Sequence, residues 1–133
     1  MLAPAVAHHL FETLLESETR PAGAASYEIT SVEACIPAYQ PDLEVGLSPA
    51  ESDLDVFWGI PGEREERIRS ALLIEGTGVL SPGTPVTLGA DRVGELRTCV
   101  HSSALDATIG MAILDMRHAH PGLLLHSRGA KQA

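Results

Sequence analysis

The amino-acid sequence predicts an α+β fold in which helices come first and a small antiparallel β unit follows. Three observations predict it: an apolar stripe of helical period in residues 4–18, a segment rich in proline and glycine in 37–62, and alternating apolar runs separated by turns after residue 67. We therefore expect two regions, residues 1–66 with the helices and connector and residues 67–133 with the β unit.

The first region contains two predicted helices. Pro4 suits the first turn of a helix over residues 4–18. Four apolar side chains recur along one side of that helix: Val6, Leu10, Phe11 and Leu14. Pro21 and Gly23 end it, and a shorter helix over about 24–34 ends before Pro37.

The sequence of residues 37–62, the connector, predicts irregular structure with one ordered feature. Ser48 and Glu51 have the spacing of a capping box, so we expect a helical turn after Ser48. Phe57 and Trp58 allow two interpretations, a plug between the helices and the β unit or a stacking wall for a flat ring. The buried plug is favoured, because two adjacent aromatic residues in a chain with five are more often structural.

The second region predicts five short strands, near residues 68–74, 85–88, 95–101, 108–116 and 123–126. Ser81-Pro82-Gly83 marks a turn and residues 89–92 a hairpin loop. In the third strand, alternation places Leu96 and Val100 on one face and Cys99 on the other. Five strands at this spacing indicate a small antiparallel barrel or sandwich.

Composition and charge narrow the class of protein. Residues 1–66 carry 13 acidic and 2 basic side chains and residues 67–133 carry 5 and 7, which argues against a nucleic-acid partner. No apolar run is long enough to span a membrane, and no signal peptide is visible at the N-terminus. Cys35 and Cys99 fit free thiols in a cytoplasmic protein.

The histidines give weak support for a metal site. His8 and His9 are adjacent and cannot share one face of a helix. His118 and His120 could bind a metal from a strand or loop, but the sequence places no third ligand near them. We expect surface histidines and no metal.

Two segments resemble a known family. Tyr27-Glu-Ile-Thr-Ser-Val-Glu-Ala-Cys-Ile-Pro37 and Pro49-Ala-Glu-Ser-Asp-Leu54 resemble the pattern R-x-E-A-G-x-P…P-x-E-x-G-L of the glycine-cleavage T-protein (aminomethyltransferase) and its YgfZ-type folate-binding relatives. Pro82-Gly-Thr-Pro-Val86 and Val93-Gly94 resemble that family's C-terminal β-barrel. The resemblance covers nearly the whole chain.

The resemblance implies a partial folate-binding region over 1–66, a C-terminal β-barrel over 67–133, and tetrahydrofolate-dependent aminomethyl or one-carbon transfer. It implies cofactor contacts at Glu33, Tyr27 and Trp58, and no catalytic residue. Full-length members begin upstream, in a region that supplies the catalytic aspartate. We therefore expect a partner chain that supplies this half, or a homodimer that covers the first helix.

Three positions depart from the pattern. Ser31 stands where the family has an arginine near the folate tail, and a hydroxyl cannot make that bidentate contact. Cys35 stands where the family has glycine, and Ile60 where YgfZ-type proteins have a reactive cysteine. These departures leave a second hypothesis open, a non-catalytic binding or scaffolding module built on the same fold.

Overall fold

The computed structural model describes residues 3–38, 43, 47–59, 66–76 and 78–127. Three helices come first: α1 (Pro4–Glu16), α2 (Ala24–Glu33) and α3 (Leu54–Trp58). Five strands follow: β1 (Arg67–Ile74), β2 (Pro85–Leu88), β3 (Asp91–Ser102), β4 (Ala107–Asp115) and β5 (His126–Ser127). The α+β class and the two N-terminal helices are therefore confirmed.

The strands form one antiparallel sheet in the order β1-β4-β3-β2-β5. The long hairpin of β3 and β4 lies at its centre, and β1 pairs with β4 without interruption, from Arg67 opposite Asp115 to Ile74 opposite Thr108. Over the residues that the structure describes, β1 and β5 are the two edges and do not pair with each other. The sheet is therefore open, and the predicted closure into a barrel is not observed.

The last predicted strand, residues 123–126, is largely wrong. Only His126 and Ser127 pair with β2, opposite Thr87 and Val86. Residues 121–122 form a turn, and Leu123 to Leu125 follow it as irregular chain. Apolar character alone misled the prediction here, since Leu125 packs against the core from a loop.

The sheet has a core cluster on each face. The larger cluster faces away from α2 and contains Val86, Val93, Leu96, Cys99, Ala112 and Leu114. The smaller cluster joins Val32 of α2 to Val100 of β3 and Met111 of β4. Burial of side chains such as Leu96 and Leu114 contributes about 1.5–3 kcal/mol each. Helix α2 therefore packs against one face of the sheet.

One bulge reverses the side-chain pattern predicted for β3. Leu96 lies opposite Ala112, but Thr98 already lies opposite Met111, so Arg97 is an extra residue in the strand. After this bulge Cys99 points to the same face as Leu96, and Val100 points to the α2 face. The prediction that Leu96 and Val100 share a face is wrong, because a one-residue shift moves every later side chain to the opposite face.

In the described part of the chain, every helix is too short or too polar to cross a lipid bilayer. Nothing in the structure tests the division of the chain at residue 66, which stays a prediction.

Candidate functional site

Helix α2 ends in a Schellman turn that places the first resemblance segment. The N–H of Ile36 donates to the carbonyl of Ser31 at 2.9 Å, and the N–H of Cys35 donates to the carbonyl of Val32 at 3.0 Å. In this motif the residue after the C-cap adopts the left-handed conformation that glycine favours. Cys35 holds that position with a φ of 55°. The departure from the family's glycine therefore falls where the backbone requires a positive φ.

The buried guanidinium of Arg69, on β1, binds this turn to the sheet. Its Nη1 donates to the carbonyl of Cys35 at 2.7 Å and its Nη2 donates to the carbonyl of Ile36 at 3.2 Å. The carboxylate of Asp53 lies 3.6 Å from the same Nη1. A cation at the C-terminal end of a helix is stabilised by the helix dipole and by the unpaired carbonyl groups there. The planar fork of arginine suits two neighbouring acceptors.

The second resemblance segment reaches Arg69 through the capping box, which the structure confirms. The N–H of Ser48 donates to Oε2 of Glu51 at 2.9 Å, and the N–H of Glu51 donates to Oγ of Ser48 at 3.2 Å. The second carboxylate oxygen of Glu51, Oε1, accepts from the N–H of Arg67 at 3.2 Å. The backbone carbonyl of Glu51 accepts from the N–H of Arg69 at 2.9 Å. Glu51 therefore ties the loop to β1.

These contacts also set the charge state of Glu51, which is buried. The donated N–H of Ser48, more than any other group, lowers the pKa of Glu51 below its usual 4.5, and the N–H and guanidinium of Arg67 act in the same direction. Glu51 is thus an ionised structural carboxylate. We call Cys35, Ile36, Glu51, Asp53 and Arg69 together the Arg69 node.

Glu33, predicted to contact the cofactor, is also engaged within the chain. The hydroxyl of Ser102 donates to its Oε1 at 2.5 Å and accepts from the N–H of Leu105 at 3.0 Å. Ser102 is fully buried, so this bond fastens the end of α2 to the turn between β3 and β4. One oxygen of Glu33 is therefore committed to holding the fold.

The two predicted aromatic contacts are exposed. Tyr27 on α2 has 73% of its surface exposed and Trp58 at the end of α3 has 61%. Phe57 is 41% exposed, so the favoured interpretation of Phe57 and Trp58 as a core plug is wrong. Helix α3 has one turn and no buried residue, which leaves both rings at the surface. Tyr27 and Glu33 are six positions apart on α2, about 120° around the helix, so they do not share a face.

Ser31, at the position of the family's arginine, is buried at the inner face of α2. Its side chain faces the sheet and offers no cation to a ligand. Ile60 lies outside the described residues.

An open cleft of about 540 Å³ lies beside α2, between Glu28, residues 79–82 and residues 97–99 of β3. Cys99 lines the cleft, and its Sγ accepts from the N–H of Leu80 at 3.2 Å. Burial raises the pKa of the Cys99 thiol, so the thiol stays protonated and unreactive. Arg97 at the cleft is paired with Glu95 at 3.2 Å.

His118, the first histidine of the pair at 118 and 120, ends a short turn that begins at Asp115 and contains a salt bridge. Nδ1 of His118 lies 3.9 Å from the carboxylate of Asp115, which the guanidinium and N–H of Arg117 hold at a pKa of about 2. Across the described ranges, no three His, Cys, Asp or Glu side chains are grouped as metal ligands.

Sequence reasoning missed Arg69, the residue on which the two resemblance segments converge. It lies inside a strand, and the alternation of β1 predicted only that residues 68, 72 and 74 share one face. That alternation puts Arg69 on the opposite face of the strand, where a solvent-exposed charge is expected, so the sequence carried no signal that Arg69 is buried. The site thus consists of the Arg69 node, Glu33 fastened to Ser102, and the exposed rings of Tyr27 and Trp58.

Comparison with known proteins finds similarity between this chain and several aminomethyltransferases. The chain is 29% identical over 126 residues to an aminomethyltransferase of Rubrobacter xylanophilus, a match that covers 84% of this chain and 34% of that protein. It is 28% identical over 141 residues to the aminomethyltransferase of Streptomyces avermitilis, a match that covers 90% of this chain and 38% of that protein. It is 26% identical over 137 residues to the aminomethyltransferase of Thermosynechococcus vestitus, a match that covers 92% of this chain and 37% of that protein.

No family model matches the chain. The matches nevertheless support a T-protein-like relationship, because they extend over most of the chain in several aminomethyltransferases. The chain spans between about a third and two-fifths of the length of these relatives. A YgfZ-type relationship stays a prediction.

Proposed function

We propose that this chain is part of a T-protein-like protein that takes part in tetrahydrofolate-dependent aminomethyl or methyl transfer in the cytoplasm. The observation that carries the proposal is the similarity to aminomethyltransferases over 84–92% of the chain. Aminomethyltransferases are folate-dependent in general. Cys35 and Cys99 are free thiols, as expected in a reducing compartment.

The proposal assigns the described residues to binding and positioning. Tyr27 and Trp58 present exposed rings on which a pterin or the aromatic part of a folate could stack. The Arg69 node and the bond from Ser102 to Glu33 hold in place α2, which carries Tyr27, and the loop before α3, the helix that carries Trp58. Arg69 is a positioning residue, because its guanidinium is buried and contacts only protein groups among those described.

One-carbon transfer requires a reactive nitrogen held close to the donor and a carboxylate that stabilises charge and moves a proton. At the described site, Glu51 is held by backbone N–H groups and Glu33 by Ser102, so neither is available for this task. We therefore propose that a T-protein-like front region supplies the catalytic carboxylate from another polypeptide. Its contact with this chain would include Phe57, which is large, apolar and 41% exposed.

A chimaera tests the proposal. The segment of the Rubrobacter xylanophilus aminomethyltransferase that matches this chain is replaced by this chain, and thermal melting is measured with and without 5-formyltetrahydrofolate. We expect the ligand to raise the melting temperature, since binding to the folded state alone stabilises it. The intact relative serves as the positive control and circular dichroism confirms that the chimaera folds.

Two variants of the chimaera make this test specific. Trp58→Ala should reduce the ligand-induced rise without changing melting in the absence of ligand, because Trp58 is exposed. Glu28→Ala, on the same helix as Tyr27 but outside the proposed contacts, should leave the rise unchanged. A folded chimaera with no response, beside an intact relative that responds, would contradict the proposal.

A second candidate function is a non-catalytic binding module derived from the same fold. Buried Ser31 favours it, because the charge that would hold a folate tail is missing there. A second favouring observation is Glu33, whose Oε1 is taken by Ser102. In that case the chimaera would fold and the isolated chain would form a stable protein complex, while neither would respond to the folate.

A further inference from the structure

Helix α1 carries the longest exposed apolar surface among the described residues. None of its residues is buried. Its five large apolar side chains, Val6, Leu10, Phe11, Leu14 and Leu15, are each between 43% and 52% exposed. A 13-residue helix with this pattern is marginal in water unless another element covers the apolar face.

The two sides of this stripe differ in chemistry. Successive residues turn about 100° around a helix, so Val6 and Leu14 each lie about 40° from Leu10, and the three side chains form the centre of the stripe. His9 and Glu16 lie together on one flank. Phe11 and Leu15 lie on the other flank. The ion pair of His8 with Glu12, 3.2 Å between Nε2 and Oε1, is on the opposite face of the helix.

We propose that α1 pairs with α1 of a second copy of this chain in antiparallel orientation. In an antiparallel helix pair related by a twofold axis, each flank meets the same flank of the partner helix running the other way. Suppose that Leu10 lies opposite Leu14 of the second copy. The heights of His9 and of Glu16 of that copy along the helix axis then differ by about 1.5 Å, the rise of one residue. The symmetry makes this contact twice.

The flank pattern selects this orientation and this occupant. Phe11 of each copy meets the apolar flank of the other, while His9 donates a hydrogen bond to the carboxylate of Glu16. A parallel pair would instead place the flank of His9 and Glu16 against the apolar flank of Phe11 and Leu15. Because His9 and Glu16 complement each other across the twofold axis, a second copy covers the stripe without any other protein.

Sedimentation equilibrium of the full chain from about 1 to 200 µM, a range of about 3 kcal/mol in binding free energy, tests the pairing. We expect a monomer–dimer equilibrium. Leu14→Asp should leave a monomer over the whole range. Because α1 adds no side chain to either core cluster, the thermal unfolding of the sheet should stay unchanged in this variant. A monomeric wild-type chain, or a Leu14→Asp variant that still dimerises, would overturn the proposal.

Charge exchange tests the antiparallel register. His9→Glu places two acidic side chains together and should weaken dimerisation about three- to tenfold. Adding Glu16→Lys to it should restore the wild-type dissociation constant or lower it. Glu12→Lys, on the far face, should change it less than about twofold. The register would be refuted if the double variant did not recover the wild-type dissociation constant. It would also be refuted if Glu12→Lys weakened dimerisation as much as His9→Glu does.

The alternative partner for the apolar stripe of α1 is a T-protein-like front region, and binding to the front region of the Rubrobacter xylanophilus aminomethyltransferase tests it. If the wild-type chain stays monomeric and binds that region in a way that Leu14→Asp prevents, the second copy is excluded. Neither outcome depends on a folate, so failure of the pairing and failure of the proposed function are separate results.

Discussion

Replacement of Cys35 by glycine tests the account of how α2 ends. Cys35 has a φ of 55° in a turn closed by hydrogen bonds from its own N–H and from that of Ile36. The left-handed conformation costs a residue with a Cβ about 1–2 kcal/mol. Arg69 holds the turn against the sheet through the carbonyls of Cys35 and Ile36, so the chain cannot relax out of it.

The magnitude follows from three opposing contributions. Glycine relieves the backbone cost of about 1–2 kcal/mol, but its greater freedom in the unfolded chain costs about 0.5–1 kcal/mol. Loss of the half-buried thiol costs about 0.4 kcal/mol. Cys35→Ala loses the thiol and keeps the strained backbone. The glycine variant should therefore be more stable than the alanine variant by about 0.5–1 kcal/mol.

Urea denaturation of the full chain under reducing conditions, followed by circular dichroism, measures this difference, which corresponds to about 2–4 °C in melting temperature. The adjacent Ala34→Gly is the matched control. Ala34 has a φ of −85°, so glycine there should destabilise the chain by about 0.5–1 kcal/mol. The reasoning fails if the alanine variant at position 35 equals or exceeds the glycine variant, or if glycine lowers stability equally at both positions.

Further predictions concern the node and the sheet, each measured by urea denaturation. Arg69→Met should cost about 3–5 kcal/mol, because it removes the cation that faces Asp53 and two carbonyl groups. Arg69→Lys keeps the charge but cannot make the bidentate contact, so it should cost less than Arg69→Met but still lower the stability, and wild-type stability in the lysine variant would contradict the bidentate contact. Because the folded-state pKa of Glu51 is lowered, its stabilisation is complete above pH 4.5 and is lost as the pH falls through the lowered pKa. The unfolding free energy should thus fall more steeply below pH 4.5 in the wild type than in Glu51→Gln, and parallel curves would exclude the assigned role. Gly94→Ala should cost at least about 2 kcal/mol, since a Cβ there would overlap the carbonyl oxygen of Ile113, and a neutral effect would show that β3 and β4 can separate locally.

The helices and the capping box could be predicted because their signals are local. Pro4 begins α1 at the first helical position, and the reciprocal bonds of Ser48 and Glu51 depend on a spacing of three residues. Strand positions were also predictable in β1, β2 and β4, where turn signals bound short apolar runs.

Features that depend on pairing could not be predicted in this way. Nothing in the sequence around Arg97 marks it as the extra residue of a bulge, because the shift appears only when β3 is aligned with β4. The bulge decides which face Cys99 and Val100 occupy. The open sheet has the same origin, since strand number predicts the architecture but not whether the edge strands meet.

The candidate site was predicted in part. The resemblance placed Glu33 and Glu51 in important segments, but only the structure shows that Ser102 and Arg67 bind their carboxylates. The favoured interpretation of Trp58 as a buried residue failed. Local sequence cannot show that the short α3 packs none of its residues into the core.

The most direct test of the central claim is calorimetric titration of 5-formyltetrahydrofolate into the isolated chain and into the chimaera with the front region of the Rubrobacter xylanophilus aminomethyltransferase. If this chain is the folate-contacting rear part of a T-protein-like molecule, the chimaera binds the folate and Trp58→Ala weakens that binding, whereas the isolated chain releases no heat. Saturable heat with the isolated chain, or none with a folded chimaera, would contradict the account.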